Sequence, residues 1–377
     1  MSYWSGKYII GLTGNIATGK SVVRRMLEHL GAYGIDADAL GHRAISNGAP
    51  AFQPVLDTFG SWILSADGEI DRTRLARIVF SDPEALKRLE DIVHPHVIEA
   101  VDLLVRRSNH KVIVIEAIKL LETNLRDKCD SIWVAYAPEA VQITRLMEKR
   151  GMDEKTSRQR VLVQPPQEVK VGQADIIIRN DGSFDDTWRQ VTGAWLETIP
   201  AIETRVALTL EPVPGKINVM RAGPHQAGEI AAFLTRLSSG TQDFSREDVM
   251  ATFGEKAYLM LKSDNKLVGL VGWQVENLVA RTSDFVLEPD IPLAEAMRVL
   301  MDEVESSSSE LQCEISLLFL DLELAREEEI WRNLGYQDRS IKSLRVRAWQ
   351  EAATESMTAG SVMLFKQLRK DRVLRPV

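Results

Sequence analysis

Residues 8–13, YIIGLT, and residues 14–21, GNIATGKS, are the stretch that decides the fold of the first half of this chain. The first run is short and apolar, as expected of a buried strand, and the second matches the pattern G-x-x-x-x-G-K-[ST]. The apolar residues that follow have helical spacing: Val22, Met26, Leu27 and Leu30. A glycine-rich loop between a strand and a helix predicts a phosphate-binding site, because backbone N–H groups and the helix dipole converge on an anion there.

Two side chains of the loop carry the chemistry that this pattern predicts. Lys20 places a positive charge near the β- and γ-phosphates of a nucleoside triphosphate, and the Ser21 hydroxyl is the expected ligand of Mg²⁺. The predicted nucleotide-binding residues are Gly14, Asn15, Ile16, Ala17, Thr18, Gly19, Lys20 and Ser21. A chance match is the alternative, and the strand before the loop and the helix after it argue against it.

A pair of acidic residues follows the first predicted helix, where a second parallel strand should end. The sequence there is Ile35-Asp36-Ala37-Asp38. Two carboxylates beside a phosphate site can accept a proton from a substrate hydroxyl, or hold Mg²⁺ through water. Turn chemistry or a helix N-cap is the alternative reading, and the neighbouring loop favours the catalytic one.

Short apolar runs alternate with longer helical segments over residues 7–200. The longest helical segment, Pro83–Arg107, keeps its apolar residues on one face. This alternation predicts an α/β fold, a parallel sheet flanked by helices, with ligands at the carboxyl ends of the strands. The expected strands include residues 8–12, 112–115, 132–136 and 176–178.

A chain of 377 residues is too long for one ordinary domain. A segment with three prolines and a glycine, residues 198–216, marks a boundary. We expect a first domain at residues 1–200, a linker at residues 201–215 and an α+β domain at residues 216–377 with a C-terminal helical tail. The expected elements of the second domain include a strand at 217–220, a helix at 226–237 and hairpin strands at 257–262 and 267–273.

The composition limits the partners of this protein. A formal net charge of -8 gives no general attraction to nucleic acid or to anionic membranes. No stretch approaches the ~18 apolar residues of a membrane span, and the start lacks the pattern of a secretory signal. Cys129 and Cys313 are the only cysteines, which favours structural thiols in a reducing compartment. We expect a cytoplasmic protein that acts on a small molecule, with neither nucleic acid nor a membrane as partner; the sequence does not determine its oligomeric state.

Further motifs follow the loop: IDAD at residues 35–38, GAPA at 48–51, VHP at 93–95 and ADIIIRN at 174–180. In this order and spacing, residues 7–200 resemble the dephospho-CoA kinase family. The resemblance implies a P-loop kinase that uses ATP and Mg²⁺ to phosphorylate the ribose 3′-hydroxyl of dephospho-CoA, the final step of CoA biosynthesis. The alternatives are another P-loop nucleoside or nucleotide kinase, and a regulator that binds ATP and CoA without catalysis.

The resemblance also implies roles for single residues. Asp38 matches the catalytic aspartate, expected to orient the ribose hydroxyl and take its proton, and Lys20 would act with it. Asp36 would shape the substrate pocket. His94 and Pro95 match a His-Pro pair in the helical region that receives dephospho-CoA; a helix N-cap turn without ligand contact is the alternative.

A lid over the ATP phosphates is implied in the same way. Its matching residues are Gln142 and Arg145 on the entering helix and Arg160, Gln164 and Lys170 on the return. Solvated basic helices are the alternative. Asn180 is similar to a position that contacts adenine, although an isolated Asn after a strand is usually a turn residue.

The chain departs from the family pattern at several positions. Asn15 and Ala17 replace the usual glycine or serine in the loop, and both are small enough to preserve its shape. The position four residues after Asp38 is commonly arginine, but here it is His42, followed by Arg43.

Other departures lie after the third strand and in the lid. Lys119 adds a charge where the family is apolar, and Glu116 is the candidate for a Walker B-like acid near Mg²⁺. Either Lys149 or Arg150 takes the usual arginine position of the lid.

Residues 216–345 faintly resemble the GNAT acetyltransferase fold. The similar features are the strand ending in LVGLVGW, a helix at 293–304, a strand at 314–320, and IWRNLGY at 330–336. The loop at residues 287–292, where that superfamily binds pyrophosphate, has two acids and no glycine. We therefore expect a CoA-sensing, substrate-binding or assembly module rather than an active acetyltransferase.

A basic tail ends the sequence with Lys366, Arg369, Lys370, Arg372 and Arg375. We interpret it as a solvated helix end; contact with nucleic acid or another chain is the alternative.

Overall fold

Two β-sheets form the centres of the two halves of this chain. A computed structural model describes residues 2–199, 217–238 and 242–374, and the expected linker at residues 201–215 lies outside these ranges. We call residues 2–199 the N-terminal half and the described residues from 217 onward the C-terminal half. The division into two domains is retained as a proposal.

The first sheet contains, within the described residues, five parallel strands in the order β2-β3-β1-β4-β5. Alternate strand residues face two separate cores. Ile9 and Ile113 pack with Val101 on one face, whereas Ile10 and Val114 pack on the other. The strands are β1 (Tyr8–Thr13), β2 (Tyr33–Asp36), β3 (Val112–Glu116), β4 (Ser131–Tyr136) and β5 (Ile176–Arg179). The expected parallel α/β sheet is confirmed.

Helices cover both faces of this sheet. The longest, Pro83–Arg107, has the predicted bounds, because Asp82 caps it through the Glu84 N–H and Pro83 fits the first helical position. The helices are α1 (Lys20–His29), α2 (Ala37–Ala44), α3 (Phe52–Phe59), α4 (Arg72–Ser81), α5 (Pro83–Arg107), α6 (Glu139–Arg150), α7 (Glu154–Leu162), α8 (Gln167–Val171) and α9 (Phe184–Thr198).

The carboxyl ends of the parallel strands meet at one edge of the sheet. β1 runs directly into the loop that begins with Gly14, β2 ends at Asp36 and β3 ends at Glu116. β5 is followed by Asn180. Residues that are far apart in sequence are thereby brought to one edge.

The second sheet contains, in the C-terminal half, seven strands in the order β11-β12-β10-β9-β8-β7-β6. Only the β9–β10 pair is parallel among these described strands. The strands are β6 (Ile217–Arg221), β7 (Ala257–Ser263), β8 (Lys266–Glu276), β9 (Val279–Leu287), β10 (Ile315–Leu320), β11 (Gln337–Asp338) and β12 (Val362–Gln367). The helices are α10 (Ala227–Leu237), α11 (Arg246–Thr252), α12 (Leu293–Glu310), α13 (Leu322–Ala325), α14 (Glu328–Asn333) and α15 (Arg347–Ser356). The α+β prediction is confirmed.

The expected helical tail is wrong. The last regular element of the described residues is β12, because the apolar residues of Val362–Gln367 pair with β10 and β11. Lys366 lies on this strand and forms an ion pair with Glu305 at 2.6 Å, and Arg369 pairs with Asp371 at 3.0 Å. These basic residues are therefore not a solvated helix end; Arg375 lies outside the described residues.

The two halves share an apolar core. Leu278, Val373 and Leu374 of the C-terminal half are buried in the same cluster as Ile9 and Val101. The two cysteines are free, with Cys313 buried and Cys129 half-buried. No helix in the described part of the chain has both the length and the apolar character needed to cross a bilayer.

Candidate active site

The glycine-rich loop closes at Gly19. This residue caps α1 with a φ of 89°, a left-handed conformation that glycine adopts without strain. A Cβ atom here would lie 1.8 Å from the side-chain nitrogen of Asn180. Position 19 therefore requires glycine for two reasons, its backbone conformation and the close approach of a neighbour.

The side chain of Lys20 bends back across the loop. Its Nζ donates a hydrogen bond to the Asn15 carbonyl at 3.3 Å, and the Thr18 hydroxyl donates to the same oxygen at 2.9 Å. Lys20 is only 8% exposed. Because its bond to the neutral carbonyl is long, a phosphate oxygen would be a stronger partner for this ammonium group.

Ser21, Arg24 and Glu116 form a cluster beside the loop. Ser21 Oγ donates to Glu116 Oε1 at 2.9 Å, and Arg24 Nε donates to Glu116 Oε2 at 2.8 Å. Burial alone would raise the pKa of Glu116, but the charges of Arg24 and Lys20 hold it below its ordinary value. Glu116 is thus an ionised carboxylate in direct contact with the serine of the loop.

Asp36 has a structural role at the end of β2. Its Oδ1 accepts a hydrogen bond of 2.9 Å from the Ala39 N–H, so Asp36 is the N-cap of α2. Burial raises the pKa of Asp36, and the nearby charge of Glu116 raises it further. The N-cap alternative that the sequence left open is therefore correct for Asp36.

Asp38 is not the cap; it lies in the first turn of α2 and contacts the loop after β3. Its Oδ2 and Oδ1 accept from the Ile118 N–H at 3.0 and 3.3 Å. Burial raises the pKa of Asp38, whereas the charge of Lys20 and the bond from Ile118 oppose this rise. Asp38 and Lys20 thus lie at the same edge of the sheet, where the positive charge of Lys20 favours the ionised form of Asp38.

The helix that enters the expected lid, α6, is tied to the loop through Arg145. Its Nη1 donates to the Ala17 carbonyl at 3.2 Å and its Nη2 to the Asn180 carbonyl at 2.7 Å. The Asn180 side chain in turn donates to the Thr18 carbonyl at 3.0 Å. Arg145 and Asn180 therefore lie at the loop, and their contact with ATP stays a prediction. Gln142 is buried and donates to the Ala137 carbonyl.

The return of this lid contacts the other side of the loop. Gln164 Oε1 accepts from the Ile16 N–H at 2.7 Å, and the Pro165 carbonyl accepts from Asn15 Nδ2 at 2.9 Å. Lys170 donates to the Ile118 carbonyl, the same residue whose N–H binds Asp38. Arg160 is exposed on α7 and is not brought into this group.

His94 and Pro95 lie in the middle of α5. The alternative of an N-cap turn is wrong, because the helix begins at Pro83 and continues through Pro95. His94 is half-buried and Pro95 exposed. Their role in binding a substrate stays a prediction.

Two lysines at positions where the chain departs from the family pattern form ion pairs in this structure. Lys119 forms an ion pair with Glu90 of α5, which accounts for its charge. Lys149 and Arg150 at the end of α6 are both exposed, and Lys149 Nζ lies 3.5 Å from Glu255 Oε1 of the C-terminal half. Which of the two takes the lid position stays a prediction.

Sequence reasoning missed Arg24 and Ile118. Arg24 lies three residues after Ser21, on the same face of α1, so helical spacing could have indicated it. Ile118 acts only through its backbone N–H and carbonyl, and a side-chain pattern carries no signal for such a role.

The oxygen atoms near the loop fit a magnesium ion. Ser21 and Glu116 supply a hydroxyl and a carboxylate 2.9 Å apart. The described residues hold no group of three His, Cys, Asp or Glu suited to a metal. Mg²⁺ commonly takes most of its ligands from phosphates and water.

Comparison with known proteins gives a consistent result for the N-terminal half. A family model described as Dephospho-CoA kinase matches residues 8–186. A dephospho-CoA kinase of Geobacter metallireducens is 41% identical over 194 residues, which are 51% of this chain and 96% of that protein. The solved structure of dephospho-CoA kinase from Campylobacter jejuni is 27% identical with a TM-score of 0.38, covering 51% of this chain and 96% of that one.

For the C-terminal half, solved structures provide the comparison. A GNAT-family acetyltransferase from Staphylococcus aureus is similar with a TM-score of 0.33 and 11% identity. The match covers 41% of this chain and 100% of that one.

Proposed function

This chain belongs to the dephospho-CoA kinase family, and from that premise we propose that it transfers the γ-phosphoryl group of ATP to the ribose 3′-hydroxyl of dephospho-CoA. The products are CoA and ADP. The bond from the γ-phosphorus to its bridging oxygen breaks as the bond to the 3′ oxygen forms, and the hydroxyl proton passes to Asp38.

The observation that carries this proposal is the placement of Asp38. Its carboxylate is held by the Ile118 N–H at 3.0 Å and lies in the field of Lys20. A base within reach of the phosphate loop can take the proton of an acceptor hydroxyl, which a protein that only binds ATP does not need.

The loop supplies the site for the triphosphate. Backbone N–H groups at the start of α1, together with Lys20, favour negative charge at this position. Arg145 lies against the loop at Ala17, where its guanidinium group would stabilise the transferring phosphoryl group after a small rearrangement. We assign dephospho-CoA to the region near the middle of α5, where His94 is half-buried and Pro95 exposed.

Ser21 and Glu116 would hold Mg²⁺. The ion, when bound, would neutralise charge on the phosphates. Asp36 keeps α2 capped and adds negative charge beside Glu116.

The test is formation of CoA from dephospho-CoA and ATP by the purified full chain, followed by chromatography, with adenosine and common nucleosides as competing acceptors. We expect CoA as the product and little turnover of the other acceptors. Asp38→Asn should lower kcat by about 10²- to 10⁴-fold and leave ATP binding intact. The exposed Asp57→Asn is the matched control and should keep wild-type activity. ATP binding without transfer to any acceptor would contradict the proposal.

A further inference from the structure

Arg43 extends from the helix of the catalytic aspartate into the C-terminal half. It lies on α2, five residues after Asp38, and its side chain is 6% exposed. Its Nη2 lies 2.5 Å from Glu314 Oε1, and its Nη1 donates to the Asn277 carbonyl at 2.7 Å. The Arg43 guanidinium group therefore bonds to two residues of the C-terminal half that are far apart in sequence, Asn277 and Glu314.

Glu314 is itself fixed on several sides. Its side chain is 1% exposed, and its Oε2 accepts from Trp349 Nε1 at 3.1 Å. Its backbone N–H donates to the Leu278 carbonyl, and its own carbonyl accepts from the N–H groups of Leu368 and Arg369. The acceptor that meets Arg43 thus belongs to a rigid part of the second sheet.

Helix α2 is consequently held from two directions. At 3.6 residues per turn, residues 38 and 43 point about 140° apart around the helix axis. Asp38 bonds to Ile118 of the N-terminal half, while Arg43 bonds to Glu314 of the C-terminal half. A two-turn helix with these two anchors has little freedom to rotate or slide.

We propose that Arg43 and Glu314 are positioning residues for phosphoryl transfer, through which the C-terminal half holds the Asp38 carboxylate in its catalytic place. The inference rests on the proposed kinase function. The directional fork of Arg43 fixes the rotation of α2, which a non-directional apolar contact would not do. The C-terminal half is in this view part of the kinase machinery, not an independent appendage.

The experiment uses steady-state kinetics of the full chain. Arg43→Lys keeps the charge but cannot reproduce the fork to Glu314 and Asn277, so kcat should fall about tenfold while KM for ATP stays unchanged. Arg43→Met/Glu314→Gln removes both charges together, so neither is left buried alone, and keeps an oxygen that can accept from Trp349 Nε1. Its kcat should fall further, by up to about a hundredfold. Thermal melting checks that both variants are folded.

A double-mutant comparison separates positioning from general support of the fold. If Arg43 acts through Asp38, Arg43→Lys should have no additional effect on kcat in the Asp38→Asn background. A merely structural role would give the same loss in both backgrounds. Arg107→Met, which removes the ion pair of Arg107 with Asp371 between the halves at 2.9 Å, is the control and should keep wild-type kcat.

The outcomes are distinguishable. A wild-type chain that makes no CoA would refute the proposed function itself. An active wild type with wild-type kcat in a folded Arg43→Lys or Arg43→Met/Glu314→Gln variant would overturn this inference alone. Additive effects of Arg43→Lys and Asp38→Asn would also overturn it.

Discussion

The side-chain carbonyl of Gln164 accepts a hydrogen bond of 2.7 Å from the backbone N–H of Ile16. A residue of the α7–α8 connection therefore occupies one of the loop amides that a phosphate would use. The Pro165 carbonyl holds Asn15 beside it. Entry of a nucleotide requires these contacts to be exchanged for contacts with phosphate oxygens.

Removal of the Gln164 side chain should favour that exchange. Gln164→Ala frees the Ile16 N–H without altering the loop, so the Kd for ATP should fall about three- to tenfold, the equivalent of one net hydrogen bond. Calorimetric titration with ATP measures it. The control is Gln173→Ala, at an exposed glutamine whose side chain donates to the Val169 carbonyl of helix α8. Weaker ATP binding in Gln164→Ala would show instead that Gln164 binds the nucleotide.

Gly19→Ala should damage the loop. The substitution places a Cβ atom against Asn180 and forces alanine to a φ of 89°, so the Kd for ATP should rise at least about tenfold. Gly193→Ala on helix α9 is the matched control, because the added methyl group would meet no described atom within 4 Å beyond its chain neighbours and the backbone of its own helix. It should leave ATP binding unchanged and raise the free energy of unfolding by up to about 1 kcal/mol. Equal ATP affinities for the two variants would contradict the argument.

Asp36→Asn should stabilise the nucleotide-free protein at neutral pH. Burial and the charge of Glu116 raise the pKa of Asp36, so the folded chain holds this proton more tightly than the unfolded chain and loses stability when the carboxyl ionises. Asparagine keeps an oxygen that can cap α2 but carries no charge. We expect a gain of about 1 kcal/mol in the free energy of unfolding at pH 7 to 8.

The gain should shrink as the pH falls and wild-type Asp36 takes up its proton. Urea unfolding at pH 8 and pH 5 measures both values, and a gain that grows on acidification would refute the assignment. Kinase activity should fall in the Asp36→Asn variant, because Asp36 lies two residues before the catalytic Asp38.

His29 should make the stability of the protein sensitive to acid. It ends α1, its Nε2 lies 3.0 Å from the Phe253 carbonyl, and its Nδ1 is buried without a partner among the described residues. Burial lowers the pKa of His29 to about 3, and the charge of Arg221 contributes. The unfolded chain therefore binds a proton near pH 6.5 that the folded chain does not, and stability is lost as the pH falls.

Between pH 7 and pH 5 this loss should be about 2 kcal/mol in the free energy of unfolding. His29→Gln keeps a polar nitrogen near Nε2 and has no titrating ring, so the pH dependence should decrease by that amount. Denaturant unfolding at the two pH values provides the measurement. An unchanged pH dependence in the variant would show that His29 is protonated in the folded state.

The parts of the fold that the sequence predicts are those with local signals. Pro83–Arg107 could be delimited because Asp82 and Pro83 start the helix and its apolar face continues for 25 residues. The loop at residues 14–21 and the strand ends at Asp36 and Glu116 follow from motifs and from the geometry of parallel sheets. The sequence alone does not show whether Asp36 caps a helix or takes part in catalysis, because aspartate serves both roles.

The contacts between the halves could not be predicted from local sequence patterns. Arg43 and Glu314 are 271 residues apart, and each alone has the appearance of an ordinary surface charge. The basic residues around Lys366 suggest a solvated helix end, whereas pairing with β10 makes Lys366 part of a strand. Tertiary context overrode the local signal at these positions.

The shared core has a consequence for how this protein is made. Val373 and Leu374 complete the apolar cluster that contains Ile9 and Val101, yet ribosomes synthesise them long after the first sheet has emerged. The parallel strands can form during translation, but this face of the sheet stays partly uncovered until Val373 and Leu374 have been synthesised. Kinase competence should therefore appear late in translation, and premature termination within the C-terminal half should yield a polypeptide that chaperones retain.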